Sequence, residues 1–204
     1  MLLSPRKKPT QDRARGTVRR IFEATERLVR THGFANVGTR MIAEEAGVSV
    51  GSLYQYFPTY ESILLAWYED VATQASQRMR LATIEILQKP LGEGIRIAIG
   101  ALFNALEKHS LVLLQMPAEV PEIERATASS SFMYLNRAAM RIFFGEHSEF
   151  DPRETERHIF FLETLIMSIL RRWILERPRG ISRATVLDQV CGLVEAYLRR
   201  NVVS

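Results

Sequence analysis

The stretch TRMIAEEAGVSVGSLYQYF, residues 39–57, constrains the fold of this chain more than any other part of its sequence. Apolar residues recur in its first half at the spacing of one helical face: Ile42, Ala43 and Ala46. This spacing predicts a short helix over about residues 40–46, with that face buried. Gly47 follows at once and can adopt the left-handed backbone conformation that ends a helix.

A second helix is predicted directly after this turn. Ser49 suits its N-cap, because the hydroxyl can accept a hydrogen bond from a backbone N–H of the first turn. Leu53 is expected to point inward, and Phe57 ends the helix because Pro58 disfavours helical geometry in the residue before it. Two short helices joined in this way form a helix-turn-helix, whose second helix lies in the major groove of DNA. The alternative is a helical hairpin that only packs.

The run GVSVGSLYQYFP, residues 47–58, closely resembles the signature of the TetR family of one-component bacterial transcription regulators. Residues 21–47 are similar to the family's first and second helices, and residues 59–67 to the start of its fourth. The specific resemblance covers about residues 15–65. It implies an all-α protein of about nine helices, with an N-terminal three-helix DNA-binding domain and a C-terminal helical domain for ligand binding and dimerisation.

Residues around the second helix are the expected DNA contacts. Val50 is expected to touch a base edge and Gly51 to let the backbone come near, while the family's matching tyrosine implies that Tyr54 binds a phosphate. The predicted set is Thr39, Arg40, Ser49, Val50, Gly51, Ser52, Tyr54, Gln55, Tyr56 and Tyr60. Two positions depart from the family pattern. Tyr60 stands where a phosphate-contacting lysine is common, and Gly38 where a Ser or Thr is frequent.

The net charge of +4 is distributed unevenly along the chain. Residues 1–60 hold ten Lys and Arg against five Asp and Glu, whereas the remaining 144 residues hold seventeen against eighteen. The basic excess therefore lies with the helix-turn-helix, as expected of a surface that meets phosphate. Residues 1–14 are interpreted as a flexible basic arm that tracks the DNA backbone or reaches into a minor groove. The alternative is a solvated tail.

Residues 15–60 are predicted to form the DNA-binding domain, and residues 61–204 the ligand-binding and dimerisation domain. Helices are predicted over about residues 14–31, 60–88, 92–109, 111–116, 121–144, 153–176 and 182–201. No strand-like alternation stands out, and no apolar run approaches the ~18 residues that span a bilayer. The single cysteine, Cys191, cannot form an internal disulfide, so we expect a cytoplasmic protein without membrane contact.

The last two predicted helices carry long apolar stripes, more than one chain needs for its own core. We expect two helices from each of two copies to form a four-helix bundle, the homodimer that the resemblance also implies. The predicted interface is Leu162, Leu165, Ile169, Trp173, Val190, Leu193, Val194 and Tyr197. A wholly intramolecular core is the alternative.

The middle helices are expected to enclose a small-molecule effector, because TetR-like regulators bind one there. Met-rich and aromatic walls suit a mostly apolar ligand. The predicted lining is Trp67, Phe103, Leu106, Met116, Phe132, Met133 and Phe161. For each of these residues alone, ordinary core packing is the alternative.

The sequence offers little for an enzyme. None of the four histidines belongs to an HExxH motif or a Cys/His cluster, and Gly92-x-Gly94 lacks the preceding strand and the Lys of a phosphate loop. Glu154 and His158 are interpreted as an exposed ion pair, and Cys191 as a buried, inert thiol. We therefore predict no catalytic residue, no metal and no cofactor.

Three functional hypotheses follow. The leading one is a homodimeric repressor that binds an operator in double-stranded DNA and is released by a small, mostly apolar ligand. The second is an activator or ligand-independent DNA binder whose C-terminal domain only dimerises. The third is a small-molecule enzyme on a helical scaffold. A closed apolar cavity separates the first from the second, and a buried, perturbed Asp, Glu or His in it would favour the third.

Overall fold

The computed structural model describes residues 12–86, 89–127, 131–147 and 149–202, and the regular elements in these ranges are all helical. The helices are α1 (Asp12–His32), α2 (Thr39–Glu45), α3 (Val50–Tyr56), α4 (Tyr60–Ile86), α5 (Leu91–Lys108), α6 (Met116–Glu119), α7 (Pro121–Thr127), α8 (Ser131–Glu146), α9 (Thr155–Glu176) and α10 (Arg183–Arg200). Short 3-10 turns lie at Phe34–Asn36 and Pro152–Glu154, and Leu111–Gln115 is a π-helical turn. The predicted all-α class is confirmed.

The chain divides into two compact units at places that the sequence did not indicate. The N-terminal unit comprises residues 1–70 and 116–128, and the C-terminal unit residues 71–115 and 129–204. The first boundary between the compact units lies at Asp70, inside α4, whereas the predicted boundary between the domains follows residue 60. Residues 116–128, with α6 and α7, group with the N-terminal unit. Most of the predicted arm, residues 1–11, lies outside the described residues.

The helix-turn-helix folds as its local sequence predicts. Ile42 and Ala43 of α2 and Leu53 of α3 are fully buried, together with Ile21 of α1. Gly47 takes a φ of 62°, the left-handed conformation expected after α2. The Ser49 hydroxyl accepts from the Ser52 backbone N–H at 3.0 Å and so caps α3. These turns follow from single residue types, which is why their positions could be predicted.

The start of α4 is fixed by a reciprocal cap. The Ser62 N–H donates to the Thr59 hydroxyl at 3.2 Å, and the Thr59 N–H donates to the Ser62 hydroxyl at 3.1 Å. Two backbone donors that a helix start leaves unpaired are thereby satisfied. Thr59 thus caps the start of α4, which continues past Asp70 into the C-terminal unit.

One predicted helix corresponds to two helices in the structure. The sequence suggested a continuous helix over about residues 121–144, whereas the structure has α7 at Pro121–Thr127 and α8 at Ser131–Glu146. Residues 128–130, which include Ser129 and Ser130, lie outside the described residues. α8 is joined to α9 by two bidentate ion pairs, Arg137 with Glu163 and Arg141 with Glu156.

The connection between α9 and α10 is held to α5 by a compact polar cluster. Arg177, at a left-handed φ of 47°, and Arg183 both donate to the Glu107 carboxylate, at 2.7 and 3.0 Å. Burial of Glu107 opposes its ionisation, but these two guanidinium groups outweigh that effect and lower its pKa. Arg177 also lies 4.3 Å from the Trp173 ring centroid, and Trp173 donates its Nε1–H to the Ile181 carbonyl oxygen.

Candidate DNA interface and ligand cavity

The outer face of α3 is formed by exposed side chains on a buried support. Val50 is 39% exposed and Tyr54 41% exposed, whereas Leu53 between them is completely buried. Nothing lies within 4 Å of a Cβ built on Gly51, so the backbone there is open to a close approach. Gln55 and Arg40 are also exposed. α3 therefore presents Val50, Gly51, Tyr54 and Gln55 outward, and the buried Leu53 anchors the helix on its other side.

Hydrogen bonds orient several of these side chains before any partner binds. The Tyr54 hydroxyl lies 3.1 Å from the Thr39 hydroxyl, which joins the start of α2 to the middle of α3. The Ser49 hydroxyl donates to the Ser52 hydroxyl at 2.8 Å. The structure thus links four of the predicted residues in two hydrogen-bonded pairs. Tyr56 is half-buried, with its ring next to that of Phe57.

Tyr60 has a partner inside the protein. Its hydroxyl donates to the Phe34 carbonyl oxygen at 3.1 Å, and the side chain is half-buried. Burial, reinforced by the charge of Glu61, raises the pKa of Tyr60 to about 12. In this structure the Tyr60 hydroxyl proton is donated to Phe34, so the predicted contact with a phosphate stays a prediction. The tyrosine ties the start of α4 to the 3-10 turn that follows α1.

The arginines of α1 and α2 whose side chains the structure describes fall into two groups. Arg19, Arg27 and Arg30 pair with glutamates at 2.7–2.9 Å, and such exposed pairs neutralise one another locally. The second group forms no ion pair with the described residues and consists of Arg15, Arg20 and Arg40. All three lie exposed on α1 or α2. The local basic excess is thus carried by a few uncompensated side chains, which the sequence count could not identify.

The C-terminal unit contains an apolar cavity of about 210 Å³ among α4, α5, α8, α9 and α10. An apolar cavity of about 150 Å³ suffices to bind benzene, so this one has room for a larger molecule. Four of the seven methionines in the chain line it: Met79, Met133, Met140 and Met167. Aliphatic residues of α5 and the rings of Phe143 and Phe144 complete the wall. We call this the effector cavity.

Six of the seven predicted ligand-binding residues lie elsewhere, and Met133 alone among them lines the effector cavity. Trp67 and Met116 belong to the N-terminal unit. Phe103, Leu106 and Phe132 are buried and do not line the cavity, and Phe161 is 51% exposed. Helical periodicity identifies a buried face but not which buried residues face a gap. The expectation of a methionine-rich wall was the sequence signal that agrees best with the residues lining the cavity.

The charged groups in the cavity wall are already paired. Glu163 receives both hydrogen bonds of Arg137, at 2.7 and 3.1 Å, and Lys89 lies 2.8 Å from Glu93. His147 uses Nδ1 in a 2.7 Å contact with the Phe143 carbonyl oxygen. The described part of the cavity wall therefore presents no unpaired charge to a bound ligand.

The predicted dimer residues also divide. Leu162, Trp173, Val190 and Val194 are buried within the single chain, and Leu162 and Val194 also line the effector cavity. Burial in the chain's own core, the alternative to an interface, accounts for the low exposure of these four residues. Leu165, Ile169 and Tyr197 are half-buried, and Leu193 is 47% exposed. These four residues are accessible to a second copy of the chain, so the predicted dimer interface can be tested at them.

His158 is buried rather than part of an exposed ion pair with Glu154, as the sequence spacing suggested. Its Nδ1 lies 3.0 Å from the Tyr197 hydroxyl, and its ring stacks on Phe144. Burial, helped by the charge of Arg157, lowers the pKa of His158 and favours the neutral ring. Cys191 is buried as predicted, and burial raises the pKa of its thiol.

The described residues were compared with the requirements of a metal-binding cluster and of a membrane span. These residues contain no group of three or more His, Cys, Asp or Glu side chains placed to hold a metal ion. Within the same ranges no single helix is long and apolar enough to cross a membrane, although one bent pair, Leu91–Lys108 with Leu111–Glu119, has the required length and composition.

Comparisons with known proteins point to one family. The sequence profile described as "Bacterial regulatory proteins, tetR family" matches residues 21–67. The HTH-type transcriptional regulator YerO of Bacillus subtilis is 29% identical over 64% of this chain and 47% of its own length. The HTH-type transcriptional repressor KstR of Mycolicibacterium smegmatis is 25% identical over 83% of this chain and 82% of its own. The chain thus spans about half the length of the first relative and most of the second.

The fold is similar to that of solved structures. The crystal structure of the transcriptional regulator FadR from Bacillus subtilis in complex with stearoyl-CoA covers 86% of this chain and 96% of its own, at a TM-score of 0.66 and 18% identity. At this identity the likeness concerns the fold alone. The matched profile coincides with the helix-turn-helix whose caps and exposed face are described above. Residues 21–67 therefore match the tetR family of bacterial regulatory proteins, and the chain is similar over most of its length to a protein named as a transcriptional repressor.

Proposed function

We propose that this regulator is a homodimeric repressor that binds operator DNA through α3 and releases it when a small, mostly apolar molecule occupies the effector cavity. The observation that carries the proposal is the presence of both parts in one chain. The N-terminal unit exposes an oriented α3 face, and the C-terminal unit contains an apolar cavity with a methionine-rich wall. A regulator that only dimerised would need no such cavity.

The DNA contacts are assigned from exposure and preorganisation. Val50 offers a methyl-bearing surface to a base edge, such as a thymine methyl group. The linked hydroxyls of Tyr54 and Thr39 can bind one phosphate together, because each can both donate and accept. In a dimer, the two α3 helices reach half-sites about 34–36 Å apart, or a multiple of that distance. The relative KstR carries the name of a repressor, which supports the direction of regulation.

The dimer is assigned to the outward faces of α9 and α10. Phe161 and Leu193 are large apolar side chains left about half exposed. Gly192 and Ala196 lie exposed and four residues apart on α10, which lets a second helix approach closely. A four-helix bundle between two copies buries these residues and leaves the intramolecular core unchanged.

The ligand response needs only modest coupling. A coupling free energy of about 1–3 kcal/mol changes DNA affinity 5–150-fold, and operator DNA must weaken ligand binding by the same factor. The FadR neighbour was crystallised with stearoyl-CoA, which supports a ligand-responsive C-terminal unit. An apolar ligand that binds only the folded protein also raises its melting temperature.

The DNA part is tested by selecting bound duplexes from a random pool and then measuring the affinity of variants for the selected sequence. Val50→Gln is expected to change the preferred base, at about 1–3 kcal/mol per disrupted contact. Tyr54→Phe is expected to weaken binding to all DNA sequences by the same factor, because a phosphate contact carries no sequence information. Met41→Gln, at a similarly exposed residue of α2, is the matched control. If Val50→Gln alters neither affinity nor preference, α3 is not the reading helix.

The dimer is tested by light scattering. Leu193→Arg places a charge on the proposed interface and is expected to give folded monomers, because an unpaired charge at a buried contact is costly. Val202→Arg changes an equally exposed apolar residue near the end of the described chain and should stay dimeric. A dimer of unchanged size from Leu193→Arg moves the interface away from α10.

A further inference from the structure

A second cavity of about 230 Å³ adjoins the effector cavity. It is lined by Ala75 and Met79 of α4, by Ala101, Asn104, Ala105 and Lys108 of α5, and by His109. Met79 and Ala101 line both cavities, so these two side chains form the partition between them. The partition is thin because alanine has no side chain beyond Cβ, and because methionine is flexible enough to move aside.

Both cavities follow one face of α5. Gly94, Ala98, Ala101 and Ala105 succeed one another at intervals of three or four residues, which places them on a common side of the helix. Their small size accounts for the groove, since larger residues at this spacing would fill it. From Gly94 to Lys108 the face extends about 21 Å along the helix axis at 1.5 Å per residue.

The two ends of this groove differ in chemistry. The effector cavity has an apolar wall whose charged members, Glu163 and Lys89, are each ion-paired. In the second cavity Lys108 is exposed and has no ion-pair partner in the described part of the chain. Asn104 accepts a hydrogen bond from Arg183 through Oδ1, which turns its NH2 group away from that arginine. The second cavity therefore offers hydrogen-bond donors.

Charge near the second cavity favours an anion. Lys108, Arg177 and Arg183 provide three positive charges at this end of α5, while Glu107 provides one negative charge. The carboxyl end of a helix contributes the equivalent of about −0.5 charge, which the excess of two positive charges outweighs. An anionic group at this position meets a net attraction, whereas a cationic group meets repulsion.

We infer that the effector is an amphipathic anion, with its apolar body in the effector cavity and its carboxylate or phosphate group beside Asn104 and Lys108. Such a molecule displaces the Met79 side chain and occupies both cavities as one channel. This inference rests on the proposed function and names the chemical class of its ligand. The apolar body supplies most of the binding energy, and the charged end selects among molecules of equal length.

The test compares decanoate with decanol, two molecules of the same chain length that differ in charge. Calorimetry should show that wild-type protein binds decanoate more tightly. Lys108→Gln should weaken decanoate binding about tenfold and leave decanol binding unchanged, because it removes a charged hydrogen-bond donor. Arg172→Gln, which removes an exposed cation of α9, is the control and should retain the preference. Equal binding of the two probes by wild-type protein overturns the inference.

A second variant tests the shared partition. Ala101→Leu is expected to close the passage between the cavities, so decanoate loses affinity while the shorter naphthalene still binds in the effector cavity. Retained naphthalene binding also shows that the variant is folded. Decanoate that binds Ala101→Leu as it binds wild-type protein contradicts a continuous channel.

Release of operator DNA separates this inference from the proposed function. If decanol and decanoate release DNA equally well, the anion preference is wrong and the ligand-responsive repressor stands. If both probes bind without changing DNA affinity, the proposed response fails whichever probe is preferred. If neither binds, both the effector cavity and the channel are wrongly assigned.

Discussion

The N-terminal and C-terminal units are both built from helices, but they place functional residues by different means. In the N-terminal unit, α2 and α3 are set by Gly47 and Ser49, which act through hydrogen bonds and backbone angles within a few residues. In the C-terminal unit, the effector cavity is a gap among helices whose residues span from Met79 to Leu198. A few neighbouring residues fix the position of the α3 face, whereas the effector cavity arises where helices distant in sequence leave a gap between them.

This difference makes the two sites tolerate change differently. A substitution in the turn between α2 and α3 alters the position of the whole α3 face, because few residues determine it. A substitution in the cavity wall alters only one of many apolar contacts. Under the proposed function, we therefore expect single substitutions to change ligand preference with less effect on the fold than substitutions in the turn before α3.

The largest expected effect comes from removing one fully buried leucine in each unit. Leu53→Ala and Leu170→Ala each leave a cavity where the wild-type side chain is completely buried, and each should destabilise its own unit by about 2–5 kcal/mol. Calorimetric unfolding should show Leu53→Ala lowering the transition that abolishes DNA binding, while Leu170→Ala lowers the other. If both variants shift one common transition equally, the two units unfold together, and the prediction that each unit unfolds in its own transition is wrong.

The next effect concerns backbone conformation alone. Gly47→Ala should cost about 1–2 kcal/mol, because a side chain is disfavoured at positive φ, while nothing lies within 4 Å of the added Cβ. Gly100→Ala is the control in the C-terminal unit, since its added Cβ is equally free but its backbone is helical. It should stabilise by about 0.5–1 kcal/mol. Urea unfolding monitored by circular dichroism measures the change in the free energy of unfolding for both variants. If both changes have the same sign, the positive φ of Gly47 does not determine the turn.

A pH effect is expected in the C-terminal unit. The pKa of His158 is lowered in the folded protein, so between that value and about 6.5 the unfolded chain binds more protons than the native one. The contribution of His158 to the free energy of unfolding is fully present above about pH 6.5 and is lost as the pH falls through the pKa of the folded protein. Thermal unfolding of wild-type protein and His158→Phe at a series of pH values should show a smaller acid loss in the variant. An identical pH dependence would show that His158 is not the responsible group.

The smallest expected effect tests the departure at Gly38. This residue precedes α2 with extended backbone and no side-chain cap, and a Cβ added to it would meet no atom within 4 Å. Gly38→Ser should stabilise the N-terminal unit by about a few tenths of a kcal/mol, because a hydroxyl can accept a backbone N–H of α2. Gly38→Ala lacks that hydroxyl and is the control. A gain from alanine equal to that from serine in urea unfolding would mean that capping is not the cause.

The sequence predicted the helix-turn-helix closely because its determinants are local. Gly47, Ser49 and Thr59 each act through a hydrogen bond or dihedral angle that one residue type favours. It failed for the cavity wall because Phe103 and Met133 have the same apolar character, yet only Met133 faces the gap. Which face of a buried helix meets a void depends on partners far along the chain, and periodicity carries no information about those partners.

Tyr60 and His158 show the same limit for polar residues. The sequence gives their neighbours in the chain, but the Phe34 carbonyl and the Tyr197 hydroxyl are 26 and 39 residues away. Both side chains were predicted to be at the surface, and tertiary contacts hold them inward instead. Residues that bond across such distances are identified only once the helices are packed.

The two tryptophans of the chain give each unit its own optical reporter. Trp67 is buried in α4 among residues of the N-terminal unit, and Trp173 lies in the C-terminal unit with Phe103 edge-on at 5.3 Å and Arg177 over its ring. Because indole emission depends on polarity and on nearby cations, replacing either one with phenylalanine leaves a single fluorophore that follows the other unit. Stopped-flow records on the two single-tryptophan proteins can then reveal in which order ligand binding disturbs the units.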